Sequence, residues 1–246
     1  MSSRWEKASG SSGIPREEIF VTTKLWITDY GYEQTLHAFD RSLRKLGFDF
    51  VDLYLLHWPV PSAFETTVNS YKAAMKLLAE GRVRAIGMCN FRANDLDKLI
   101  DQTGHVPAVN QVELHPFFNQ CELRKADEKH EIITQAWSPI GGVKRYGAKA
   151  SKEGAQDPLS HPTVVQLAKN HRKTAAQIIL RWQIELGTSP IPKSVRAGRI
   201  TENIDIFDFA LTSEEVQAIN ALETGERGGP DPEQVNPQTF SITIQD

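Results

Sequence analysis

VDLYLLHWPVPSAFETTVNSYKAAMKLLAEGRVRAIGMC, residues 51–89, reads as a strand, a helix and a second strand in immediate succession. Val51 to His57 is almost continuously apolar, the pattern of a strand covered on both faces. A helix follows, with Val68, Tyr71, Met75 and Leu78 aligned on one face and Gly81 as its stop. Val83 to Cys89 is the next strand. Two strands separated by one helix pair in parallel, because the crossover returns the chain to the same edge.

The alternation continues in both directions. Upstream, Ile19 to Leu25 (IFVTTKL) is a short strand, followed by a helix carrying Leu36, Phe39, Leu43 and Leu46 on one face. Downstream come a helix with Leu96, Leu99 and Ile100 and the strands Val109–Leu114, Ile132–Ser138 and Ser189–Ser194. Helices fall at Pro162–Asn170 and Ala175–Leu186, and a last one opens on the capping box Thr212-x-x-Glu215. The class is α/β with a parallel sheet of six strands. Six strands fit a barrel or an open doubly wound sheet. No GxGxxG follows any strand, which argues against the dinucleotide-binding open sheet. Polar residues collect instead at strand C-terminal ends: Lys24, His57, Cys89-Asn90, Gln111, Trp137-Ser138 and Lys193-Ser194. A barrel enzyme builds its site there.

The bulk properties exclude several functions. The 246 residues suit one barrel domain, and a net charge of -3 gives no footprint for nucleic acid or an anionic membrane. Two cysteines and seven histidines form no metal spacing. Met1 to Gly13 (MSSRWEKASGSSG) has no apolar core of a secretory signal, and no later stretch is long and apolar enough for a bilayer. The expectation is a cytoplasmic protein with no nucleic-acid or membrane partner. Oligomeric state is not legible. Gly225 to Asn236 is rich in Gly and Pro, so residues 225–246 are expected to form a mobile loop.

VTTKLW (Val21–Trp26), DLYLLHWP (Asp52–Pro59), GMCNF (Gly87–Phe91), NQVELHP (Asn110–Pro116) and IPKS...R...EN (Ile191–Asn203) together resemble the aldo-keto reductase family. QAWSPIGG (Gln135–Gly142) is similar to its microbial 2,5-diketo-gluconate reductase branch. The resemblance implies a (β/α)8 TIM barrel and direct hydride transfer from NADPH to the carbonyl carbon of an aldehyde, ketone or keto-sugar. Hydride arriving at carbon leaves charge on oxygen, so such a site needs an acid and oriented donors at that oxygen.

Residue roles follow from the matched motifs. Lys24 matches the family lysine that tunes the proton donor; on periodicity alone it is a surface lysine closing a strand. His57 matches the histidine that orients the carbonyl, and it shares parity with Leu53 and Leu55, which directs it into the barrel mouth if those two fill the core. Trp26 is expected beside it against substrate. Asn90 and Gln111 resemble the pair on the nicotinamide carboxamide, against the plainer readings of a helix cap and a buried polar network. Cys89 stands where the family more often has serine. Trp137 would stack on the nicotinamide, with Ser138 and Ile140 adjoining the cofactor. Lys193, Ser194 and Arg199 resemble the grip on the adenosine 2′-phosphate, with Arg196 adjoining, and Glu202 and Asn203 the pair on the adenine amino group.

One part of the pattern has no counterpart. The family's first two βα units carry its catalytic aspartate and tyrosine, and they precede the segment that Ile14–Glu18 resembles. The barrel is therefore expected to be incomplete: an atypical segment at 1–13, then a partial barrel over 14–246 with about six of eight strands. Tyr54 has the parity opposite to His57 and is expected to face the helices, Tyr30 and Tyr32 lie in a loop with nothing to fix them, and Tyr71 and Tyr146 read as structural or loop-borne. No substitute proton donor is nominated, and activity is doubtful on this reading. The competing expectation is a non-catalytic remnant that binds NADP(H) or a partner.

Overall fold

The computed structural model describes residues 13–141 and 157–240. The expectations for residues 1–12, for Tyr146 and for 241–246 of the loop 225–246 fall outside the described residues. The chain divides into two compact units, Met1–Asn110 with Pro232–Asp246, and Gln111–Asp231.

In the first unit β1 (Thr22–Leu25), β2 (Val51–Leu56) and β3 (Val83–Cys89) pair in parallel and in chain order. The helices between and after them are α1 (Tyr32–Leu46), α2 (Phe64–Ala79) and α3 (Ala93–Thr103). α1 ends on Gly47 at φ 73°, the left-handed closure that glycine adopts without strain. β1 is shorter than the run from Ile19 suggests. Residues 16–18 form a 3-10 turn, the Ile19 carbonyl accepts from the Arg16 guanidinium, and Phe20 is exposed, so pairing starts only at Thr22. The apolar face of α2 is also shifted: Val68 and Tyr71 are buried as expected, but Ala74 and Leu77 continue that face, with Met75 and Leu78 half-buried beside it. Ala74 is wholly buried although its larger neighbour Met75 is the more apolar of the two.

β4 (Val109–Glu113) opens beside β3, where the Ala108 amide donates to the Ile86 carbonyl. The approach is so close that a Cβ on Gly87 would lie 2.5 Å from the Val109 carbonyl oxygen. Only glycine fits there.

The second unit holds the rest of β4 with β5 (Ile133–Trp137) and β6 (Ser189–Pro190), again in chain order. Its helices are α4 (Cys121–Lys129), α5 (Pro162–His171), α6 (Ala175–Glu185), α7 (Ala197–Ile204) and α8 (Ser213–Asn220). Leu114, Ala136, Val164, Ile178, Ile179, Trp182 and Ile219 form its core. The capping box on α8 is present: the Thr212 hydroxyl accepts from the Glu215 amide and the Glu215 carboxylate from the Thr212 amide. β6 is a correction. The run to Ser194 shortens to two residues because Pro190 and Pro192 have no amide hydrogen, and the Ile191 amide on the Ala136 carbonyl is the last ladder bond. Lys193 and Ser194 therefore lie in the loop entering α7, not on a strand end.

Candidate active site

Alternation along β2 separates two environments. Leu53 and Leu55 pack with Cys89, Val109 and Ala85, while Tyr54 points the other way and meets Phe39 of α1 edge-on at 5.0 Å. Tyr54 thus faces a helix, as its parity requires. His57 continues the Leu53–Leu55 side, and its amide donates to the Leu25 carbonyl at 3.1 Å, which ties its backbone to β1. Its ring lies edge-on to Trp26 at 4.9 Å and parallel to Trp58 at 6.0 Å. Asn90 turns off the end of β3 at φ 63° and its side-chain amide donates to the His57 carbonyl at 3.0 Å. The N-cap of α3 is Arg92, so the capping alternative for Asn90 does not hold. Lys24 sits opposite Leu55 in the ladder. Lys24, Trp26, His57 and Asn90 are brought together.

Burial, and then the positive charge of Lys24, push the His57 imidazole down to about 4. A neutral ring at pH 7 offers one N–H to an oxygen without carrying a charge that would need solvent. The same burial raises the Cys89 thiol to about 12 against the opposing pull of Lys24. It stays protonated.

The His57 shift makes a stability prediction. The folded value lies below the ordinary 6.5, so the unfolded chain takes up the proton first. Stability contributed by neutral His57 is present above about pH 6.5 and is lost as pH falls toward 4. Urea unfolding across that window will show a steeper loss for the native sequence than for His57→Gln. Parallel curves would refute the assignment.

Three residues of this region were not anticipated in these places. Trp58 is buried, and its indole N–H finds no acceptor among the described residues. Phe240 lies 6.4 Å from Trp26 and 6.2 Å from Trp58, centroid to centroid. Trp58 was visible as the neighbour of His57, but nothing local in the sequence marks Phe240. Tyr30 is a correction, for it is fixed: its hydroxyl donates to the Trp58 carbonyl at 2.7 Å and accepts from the Trp58 amide at 3.2 Å. Burial holds its proton on well above the usual phenol range.

The second unit carries the remaining residues. Gln111 is buried in the middle of β4 rather than at its end, because the strand runs on to Glu113, and its side-chain N–H donates to Gln135 Oε1 at 2.6 Å. Gln135 in turn donates to the Ser189 hydroxyl at 3.4 Å, which is the polar-network alternative realised on one side of Gln111. Trp137 ends β5 half-buried, Ser138 follows at φ 50°, and Ile140 packs on the core of this unit. Two residues past Gln111 stands Glu113, which is 0% exposed. Its carboxylate accepts from the amides of Gly228 at 2.8 Å and Gly229 at 2.9 Å and contacts His115 Nε2 at 3.1 Å. Burial works to raise its pKa, but the His115 and glycine donors outweigh it and hold the carboxyl below the usual range. Nothing local to residues 111–115 marks this contact with residues 228 and 229.

Lys193 and Arg199 are exposed at the entrance and first turn of α7, with no acidic partner among the described residues. The Ser194 hydroxyl accepts from the Arg196 amide at 3.1 Å. Glu202 accepts from the Thr174 hydroxyl at 2.5 Å, and Asn203 is half-buried. Among the described residues no group of His, Cys, Asp and Glu could hold a metal, and no helix is long and apolar enough to cross a membrane.

The sequence pattern of the aldo/keto reductase family matches residues 4–224. This chain belongs to the aldo/keto reductase family. Its aldo/keto reductase relatives include morphine 6-dehydrogenase of Pseudomonas putida, 50% identical over 231 residues, which are 94% of this chain and 78% of that protein. Among solved structures, an aldo/keto reductase from Brucella melitensis is 50% identical, with a TM-score of 0.79 over 88% of this chain and 78% of the other. The Bombyx mori aldo-keto reductase in complex with NADP is 36% identical, with a TM-score of 0.82 over 92% of this chain and 75% of the other. The six parallel strands are thus those of an aldo/keto reductase α/β fold.

Proposed function

We propose that the chain is an NADPH-dependent reductase of aldehyde or ketone carbonyls, keto-sugars included, whose six strands are six of the eight of a (β/α)8 barrel. The observation that carries this reading is the half-buried His57, its ring edge-on to Trp26 and its carbonyl bound by the Asn90 amide, beside Lys24 at the ends of β1, β2 and β3. When bound, NADPH supplies a hydride to the carbonyl carbon. The residues fit such a cofactor. Gln111 is a buried amide within β4, Trp137 offers a half-exposed ring, and Lys193 and Arg199 are two cations with no acid to neutralise them among the described residues. Asn90 and Gln111 would hold the carboxamide, Trp137 the face of the ring, with Ser138 and Ile140 beside it. Lys193, Ser194 and Arg199 would hold the 2′-phosphate at the start of α7, and Glu202 and Asn203 the adenine. His57 donates an N–H to the carbonyl oxygen and so stabilises the charge that develops on it. Lys24 adds a positive field at the same oxygen.

A second reading, NADP(H) binding without turnover, is favoured by the tyrosines. The Tyr30 hydroxyl is taken by the Trp58 backbone, that of Tyr71 by His105, and Tyr54 faces Phe39. Tyr30 reaches His57 only at its backbone, and among the described residues none of these three makes a hydrogen bond to the side chain of Lys24 or His57. Titrating the full chain with NADPH while following indole fluorescence, then adding a reactive aromatic aldehyde, separates the two. Quenching followed by NADPH consumption supports the reductase, quenching without consumption supports the binding protein, and no quenching refutes both.

A further inference from the structure

Gly229 leaves no room for a side chain. A Cβ built on it would lie 2.6 Å from Cη2 and 3.4 Å from Cζ2 of Trp137, and 3.1 Å from Glu113 Oε2. The backbone of residue 229 is therefore wedged between the outer edge of the indole and a carboxylate. That carboxylate has its own anchor. Glu113 is on β4, wholly buried, and binds the amides of both Gly228 and Gly229, with the Arg227 guanidinium 4.0 Å away and His115 on its other side. A buried carboxylate with this many donors on it is a rigid post, because each bond it loses would leave charge without solvation. The loop at 227–229 is thus tied to the strand next to β5 and lies along the ring that ends β5.

We infer that Glu113, acting through the Gly228–Gly229 backbone, is the positioning residue of Trp137. It fixes the plane and depth of the indole and with them the tightness of the nicotinamide contact. The inference rests on the reading above, in which Trp137 stacks on the nicotinamide. It gives that reading a part it lacked, namely what keeps a half-exposed ring in one orientation. An indole at a strand end has two torsions of its own. Any second rotamer it sampled would cost the stacked arrangement part of its population. The loop removes that freedom from the ring's outer edge. Residue 228 brings its backbone amide to the carboxylate, and residue 229 must do so while touching the ring, which leaves room there for glycine alone.

The test uses the full chain with Glu113→Gln, Gly229→Ala, Trp137→Phe and the double variant Trp137→Phe/Gly229→Ala. The Trp137 contribution to fluorescence is taken as the difference between each protein and its Trp137→Phe counterpart. Without any ligand, Gly229→Ala is expected to shift the emission maximum and lower the anisotropy of that contribution. An unchanged emission and anisotropy would overturn the inference, whatever NADPH does. With NADPH as the probe, Gly229→Ala and Glu113→Gln are each expected to weaken binding about tenfold, while adding Gly229→Ala to Trp137→Phe costs less than twofold more. Independent, additive losses would also overturn it, since the loop would then act on something other than the ring. Should Glu113→Gln fail to fold, the Gly229→Ala pair decides alone, because that substitution is on the loop and leaves the buried carboxylate in place. If the native chain does not bind NADPH, the proposed function fails while the ligand-free measurement still judges the strap.

Discussion

Replacing Lys193 and Arg199 together by alanine will weaken NADPH binding by about two orders of magnitude and leave NADH binding within about twofold. The two side chains are exposed, engage no acid among the described residues, and lie at the entrance and in the first turn of α7, whose N-terminus has no side-chain cap. A phosphate placed there gains a planar guanidinium, an ammonium and the positive end of a helix. Because the site is open to water, each cation is worth about tenfold, well short of what a buried contact would give. NADH has a hydroxyl where NADPH has the 2′-phosphate, so it loses almost nothing. Fluorescence titration with both nucleotides checks this, and equal losses for the two would remove the assignment of these residues to the phosphate. Raising the salt concentration should reduce the native preference for NADPH in the same direction.

Asp52→Ala will destabilise the chain by about 3 kcal/mol, a large share of the roughly 5–15 kcal/mol by which a domain of this size is folded. The Asp52 carboxylate is 1% exposed and accepts three bonds: from the Val21 amide at 2.8 Å, Arg16 at 2.8 Å and Arg84 at 2.9 Å. Arg16 in turn lies over the rings of Phe48 and Phe50 and donates to the Phe50 carbonyl. Removing the carboxylate orphans the Val21 amide and leaves a largely buried guanidinium without its counter-ion. Arg84 is more than half exposed and contributes little to the total. Asp52→Asn keeps an acceptor for Val21 and should recover about 1 kcal/mol. Urea unfolding of the three proteins measures the ladder directly, and a loss below about 1 kcal/mol for Asp52→Ala would show the pair to be a bystander. The residues at risk matter for the site, since Val21 leads directly into the strand that carries Lys24.

What the sequence disclosed, and what it hid, follows the range of the interactions. The alternation of strands and helices is local, and it located every strand of the first unit. Parity is local too, so the opposite facing of Leu55 and Tyr54 and the direction of His57 were readable from residues 53–57. The shortened β6 could have been anticipated from Pro190 and Pro192, which cannot continue a ladder; the β-like apolar spacing outweighed them. The face of α2 was misjudged because alanine scores as weakly apolar although Ala74 is wholly buried. Contacts between distant parts of the chain were invisible. Glu113 meets the Gly228 amide across 115 residues, Phe240 meets Trp26 from the far end of the chain, and Tyr30 is fixed by a backbone 28 residues away. For such residues the sequence supplies the chemistry and only the fold supplies the address.

Asn90 and Ser138, both put forward for the cofactor, share a backbone state: φ is 63° at one and 50° at the other. An L-residue with a branched Cβ pays heavily to enter that region, whereas asparagine enters it with the least penalty of any residue but glycine. The alphabet permitted at these two positions is therefore narrow before any ligand is considered. Genetic drift that leaves chemistry untouched, such as valine or threonine arriving at position 90, is filtered by geometry first.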